Sequence, residues 1–281
     1  MKRRPLFLIS CLCFGFAFFY VPILSLIVFS FNKSRLVTVW GGFSTQWYGK
    51  LLHNEQILKA ALLSLQIALA SATLATILGA MVGIALARFH RFRGRTLLSG
   101  LVTAPLIMPE VITGISSLML FIFMAEWIGW PSGRGFTTVT IAHITFSMTY
   151  VAVIVQSRLS SADVAIEEAA MDLGARPWQV LIDITLPVIA PALVSGWLLA
   201  FTISLDDVVI TSFTTGPGTT TLPILIWSKV RLGVTPDINA LATVIICLVA
   251  AGVVAAALIM HRAESRRSRD EQMAQAQGAS G

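Results

Sequence analysis

Apolar residues fall into six long runs, at about residues 6–31, 59–87, 97–126, 136–158, 187–213 and 238–261. At 1.5 Å of rise per residue, a helical run of about 20 residues crosses a hydrocarbon core of about 30 Å, so each run is long enough to span. The gaps hold the breakers: "GWPSGRG" at 129–135, "TTGPGTT" at 214–220 and "GVTPD" at 233–237. The pattern predicts an all-α, polytopic membrane protein of six transmembrane helices with no aqueous domain. It divides into residues 1–58 (N-terminus, first helix and external loop), residues 59–261 (a core of five helices) and a polar tail, 262–281. The first run follows "MKRRP" as a signal peptide would, but it is too long for an h-region and reads as an uncleaved helix.

The runs differ in character. In the second, Ser64, Ala68, Ala72, Ala75, Gly79 and Gly83 lie along one face. Small residues at that spacing let backbones approach closely, so this helix belongs inside a bundle. The third contains "APLIMPEVITG", where Pro105, Pro109 and Gly114 break the helix around Glu110. Two readings stay open there: a kink with Glu110 bonded to a neighbour, or a broken helix lining water.

Composition agrees, at 56% hydrophobic and 12% charged. The net charge of +6 sits between the runs and not on one basic surface, so it is a topology signal and no nucleic acid is expected. "RFHRFRGR", between the second and third runs, is the densest basic cluster and places that loop in the cytoplasm, and with it both termini. Cys11, Cys13 and Cys247 lie in apolar runs without metal spacing, so neither a disulfide framework nor a metal site is expected.

The loop between the fourth and fifth runs, "SRLSSADVAIEEAAMDLGARPWQVLIDITLP" (157–187), has internal structure. Ser160 and Asp163 suggest a cap, and Ile166, Ala169, Ala170 and Leu173 form an apolar stripe with Glu168 and Asp172 opposite. Gly174 suits a left-handed helix end and Pro177 the first turn of a second helix. An acidic polar face argues for docking on a protein and against lying on anionic lipid.

This loop resembles the EAA loop of ABC-importer permeases: Glu168, Ala169 and Ala170, three residues, Gly174, nine residues, then Ile184, Leu186 and Pro187. The resemblance to binding-protein-dependent permeases covers the six-helix region and implies a type I importer (MetI-like) bundle. It implies that the loop seats in a groove of a cytoplasmic ATPase, with Glu168 reaching a basic group there and Gly174 making the turn. "SFNKSRLVTVWGGFSTQWYGKLL", "LIMPEVITGIS" and "FTISLDDVVITSFTTGPGTTTLPILIWSKVRLGVTPDINALAT" are similar to the polyamine branch, the putrescine systems more than the spermidine ones.

Asp206 and Asp207 are acids inside an apolar run, where a carboxylate costs roughly 2.5–3.5 kcal/mol on insertion scales. On an intact helix they point about 100° apart, so they cannot act as one site. Ser204, Asp207, Thr211 and Thr214 draw a polar stripe, which makes Asp207 the first candidate for a cation path. Asp206, Glu110, Phe213 and Trp227 follow, with Trp197 and Phe201 as further aromatic candidates for an ammonium group. The alternatives for either aspartate are a hydrogen bond within the bundle or at a subunit interface, or a position nearer the membrane edge. His143 reads as a helix-to-helix hydrogen bond, with a ligand role as the alternative.

A secondary transporter is the nearest rival, but no internal repeat accompanies the patterned loop. An intramembrane aspartyl protease needs carboxylates that share a proton, which adjacent residues on one helix do not offer. No Walker motif occurs, so no catalytic residue and no cofactor are expected on this chain, and ATP and Mg belong to a separate ATPase pair. The resemblance implies three further partners in the bacterial inner membrane and periplasm: a homologous permease subunit, a polyamine-binding protein and the polyamine itself.

Overall fold

The computed structural model describes residues 3–251 apart from 37, 38, 90 and 234. Helix α1 (Arg3–Ser30) is followed by α2 (Gln46–Leu52), α3 (Glu55–Arg88), α4 (Arg95–Ile107), α5 (Glu110–Ile128) and α6 (Phe136–Ser160). Then come α7 (Ala165–Asp172), α8 (Pro177–Val180), a π-helical turn (Leu181–Thr185), α9 (Leu186–Asp206), α10 (Val209–Thr214) and α11 (Leu222–Leu232). A last helix, α12, is described over Pro236–Ala251. The remainder of the sixth apolar run and the polar tail lie outside the described residues. The chain is thus an all-helical membrane protein. The described residues form two compact units, one made of those up to Asn54 together with those from Lys229 onward and the other Glu55–Ser228.

In the Glu55–Ser228 unit, α3, α6 and α9 pack on one another around Ala72, Ala75, Val151, Val155, Leu159, Ile189 and Ala200. The small-residue face of α3 is what lets α6 in. Ser64, Ala68, Ala72, Ala75, Gly79 and Gly83 are all buried. A Cβ built on Gly79 would stand 2.7 Å from the Met148 carbonyl oxygen, and one on Gly83 would stand 2.8 Å from that of Ala152. The backbones therefore touch where any side chain would hold them apart.

Two apolar runs are each broken into two helices. The third is α4 and α5, parted at Met108 and Pro109: Met108 turns to extended backbone and Pro109 starts α5 with Glu110 as its first residue. Pro105 lies inside α4, and Gly114 is buried within α5 and does not break it. Gly114 instead admits Phe213, whose ring would meet an added Cβ at 2.6 Å. The fifth run ends as α9 at Asp206, and Asp207 has extended backbone (φ −64°, ψ 128°) before α10 begins. The 100° separation expected for two residues of one helix does not apply across that turn.

The other unit contains α1, whose Phe7, Leu8, Phe14, Phe18 and Phe19 are exposed, as suits a helix bathed in lipid. The loop after α1 is organised by Asn32, which is fully buried. Its Nδ2 donates to the carbonyls of Leu36 and Val39, and its Oδ1 accepts from the amides of Ser34 and Gly41. The Trp47 indole donates to the Asn32 carbonyl at 2.7 Å, fastening α2 to the end of α1.

Candidate functional site

The loop between α6 and α9 folds as a short helix, a turn and a second short helix. The side-chain oxygen of Asp163 accepts from the amide of Ala165 at 2.9 Å, so α7 is capped from Asp163 while Ser160 still belongs to α6. Gly174 has φ +90°, the left-handed region that a side chain resists, and turns the chain toward Pro177 at the head of α8. Pro187 has no amide hydrogen and its ring crowds the carbonyl four residues back, so the backbone widens just before it. The Leu186 amide bonds to the Leu181 carbonyl five residues back, which makes the π turn.

The apolar stripe of α7 faces away from the bundle: Ile166 is 56% exposed and Leu173 90%, with Trp178 of α8 at 56%. Glu168, on the opposite side of this surface helix, and Ala169 are exposed as well, and Ala170 is half-buried. Ile184 is half-buried in the π turn, Leu186 packs against the α3–α6–α9 core, and Pro187 is exposed. The exposed apolar and acidic groups together form a surface suited to a protein groove.

What holds α7 in place is Glu167, a residue the sequence reading passed over. Arg88, the last residue of α3, grips it with both ends of the guanidinium: Nε donates to Oε2 at 2.9 Å and Nη2 to Oε1 at 3.0 Å. The remaining Arg88 nitrogen, Nη1, donates to the Leu159 carbonyl near the end of α6, and Thr185 Oγ1 donates to Glu167 Oε1 at 3.0 Å. A second acid beside Glu168, about 100° around the helix, was the available signal.

At the other end of α9, a buried polar network surrounds the break. Oδ1 of Asp207 accepts from the Ile210 amide, and Oδ2 accepts from the Thr211 amide and hydroxyl, capping α10. His143 of α6 joins it, with Nε2 at 3.2 Å from Asp207 Oδ2 and Nδ1 at 2.6 Å from Ser204 Oγ. Ser71 of α3 donates to Ser204 at 2.8 Å. The predicted polar stripe of Ser204, Asp207, Thr211 and Thr214 is therefore turned inward, and Ser204, Thr211 and Thr214 are buried.

Asp206 is exposed instead. It shares a face of α9 with the exposed Ser195, Leu198 and Thr202, at helical spacing. Glu110 is exposed at the start of α5, Phe213 is half-buried against Gly114, and Trp227 is exposed on α11. Trp197 stacks on Phe201 with centroids 5.3 Å apart, and its indole donates to Thr73 Oγ1 at 3.2 Å.

Three comparisons with known proteins bear on this arrangement. A family model described as "binding-protein-dependent transport system inner membrane component" matches residues 75–269. The putrescine transport system permease protein PotI of Escherichia coli K12 is 56% identical over 268 residues, 95% of each chain. The spermidine/putrescine transport system permease protein PotC of the same strain is 44% identical, covering 87% of this chain and 90% of that one. Among solved structures, a bacterial ABC transporter involved in the import of the acidic polysaccharide alginate superposes with a TM-score of 0.68 at 15% identity, covering 92% of this chain and 97% of that one. The MetNI methionine ABC transporter, inward facing, gives 0.58 at 16% identity, covering 74% and 95%.

Proposed function

The chain belongs to the family of binding-protein-dependent transport system inner membrane components, multi-pass permeases, and from that premise we propose that it is the permease subunit of an ATP-driven polyamine importer carrying putrescine. The observation that carries the substrate is the 56% identity to a putrescine permease across nearly the whole chain, against 44% to a spermidine/putrescine one. The bundle does not hydrolyse ATP. A separate ATPase pair docks on the exposed face of α7 and α8 and works with ATP and Mg, a second homologous permease completes the pore, and a periplasmic binding protein delivers the polyamine. Both termini are cytoplasmic, which puts α7 and α8 on the ATPase side.

Closure of the ATPases moves α7, and the helices rock between outward and inward access. The dication then needs carboxylates that replace its water. Asp206 is the acid for that path: it is exposed, and in hydrocarbon it would cost roughly 2.5–3.5 kcal/mol, so its face of α9 meets water or the second permease. Thr202 and Ser195 continue the polar line down the same face. Both carboxylate oxygens of Asp207 are bonded inside the bundle, to Ile210 on one side and to His143 and Thr211 on the other, and the residue serves the architecture of the break.

Uptake of labelled putrescine and labelled spermidine in cells lacking this chain, with and without its gene restored, tests the reading. Restored putrescine uptake supports it; spermidine uptake alone reassigns the substrate, and no restored uptake of either removes the polyamine assignment.

A further inference from the structure

We propose that Arg88 and Glu167 form the mechanical linkage through which movement of the docking loop reaches the helices, so that Glu167 is a positioning residue distinct from the docking face itself. The proposal rests on the reading of α7 as the ATPase-docking element.

Direct attachment of α7 to the bundle is slight. Its apolar stripe points outward, and none of its residues is fully buried. Its inward hold is the carboxylate of Glu167, which accepts from Arg88 twice and from Thr185 once. Both charged side chains are largely withdrawn from solvent, at 14% and 13% exposure. Bidentate geometry fixes the angle between the two groups as well as their distance. The same guanidinium holds the Leu159 carbonyl of α6, and the same carboxylate holds Thr185 in the π turn that leads into α9. Arg88 is also the last residue of the long helix α3, whose glycine face is pressed on α6. One ion pair therefore collects α3, α6, α7 and the head of α9 at a single point. Pushing α7 without breaking the pair turns all of them together; without the pair, α7 swings on the turns at 161–164 and 173–176.

The division of labour between neighbouring residues follows. Glu168 faces the partner and Glu167 faces the bundle, about 100° apart on α7. Loss of Glu168 is a loss of docking, whereas loss of Glu167 is a loss of transmission after docking.

The test uses the complete transporter, co-expressed with its ATPase and second permease and reconstituted in vesicles with putrescine-loaded binding protein. Putrescine uptake and ATP hydrolysis are measured in the same vesicles, and ATPase retained on the purified complex is quantified. Because a lone buried charge destabilises, Glu167→Gln is paired with the double change Arg88→Met and Glu167→Met, which leaves no charge behind. Both are expected to retain the ATPase but to lower putrescine taken up per ATP hydrolysed by roughly 5–150-fold, the range of ordinary coupling between sites. A pair that only stabilises the fold lowers the amount of complex and leaves that ratio unchanged in what survives. An unchanged ratio in the double variant, or loss of the ATPase from it, overturns the linkage. Failure of the underlying reading has a different signature: Glu168→Lys complexes that keep the ATPase and its stimulation by loaded binding protein.

Discussion

Nε2 of His143 stands 3.2 Å from Oδ2 of Asp207, tying the middle of α6 to the turn between α9 and α10. The two side chains are only 3% and 8% exposed, so the contact belongs to the interior of the bundle. Asparagine at 207 keeps one acceptor but replaces an oxygen that takes the Thr211 amide, the Thr211 hydroxyl and the imidazole. Asp207→Asn is expected to cost about 1–3 kcal/mol of stability, read as a lower melting temperature of the purified protein. Uptake should fall only in step with the amount of folded protein.

Asp206→Asn should behave in the opposite way. Its carboxylate is exposed and caps nothing, so the melting temperature stays where it was. Putrescine uptake per molecule of permease falls, while the affinity of the binding protein for putrescine is unchanged. Wild-type uptake would take Asp206 out of the path.

Glu168→Lys reverses the charge at the exposed acid of α7 and is expected to abolish uptake with the protein still inserted in the membrane. Membrane-fraction blotting together with substrate-stimulated ATP hydrolysis checks this. Normal stimulation would move the docking contact elsewhere on the loop.

Gly79→Val and Gly83→Val force α3 and α6 apart, because even a Cβ would meet carbonyl oxygens at 2.7 and 2.8 Å. Overpacking of this kind costs about 1–3 kcal/mol, visible in thermal unfolding and in the yield of folded protein. Gly15→Val on α1, where nothing stands within 4 Å, is the control and should leave stability unaltered.

The small-residue face of α3 was legible because its period states the geometry directly: small side chains at every turn have one structural use in a long apolar helix. The helix, turn and helix between α6 and α9 were legible for a similar reason, since Gly174 and Pro177 each fix a backbone angle. The polar stripe of the fifth run presupposes an unbroken helix. Asp207 ends that helix by taking backbone amides of the next one, a local competition that hydrophobic periodicity does not register. Arg88 read as a topology signal, and its partner lies 79 positions away, so only the folded chain brings the two together.

The outward stripe of α7 has a consequence for the life of the subunit before assembly. Ile166, Leu173 and Trp178 offer apolar surface to water until a partner covers them, which is the feature that chaperones and quality-control proteases detect. A copy whose loop stays uncovered is therefore a better target for degradation than one whose apolar stripe is hidden.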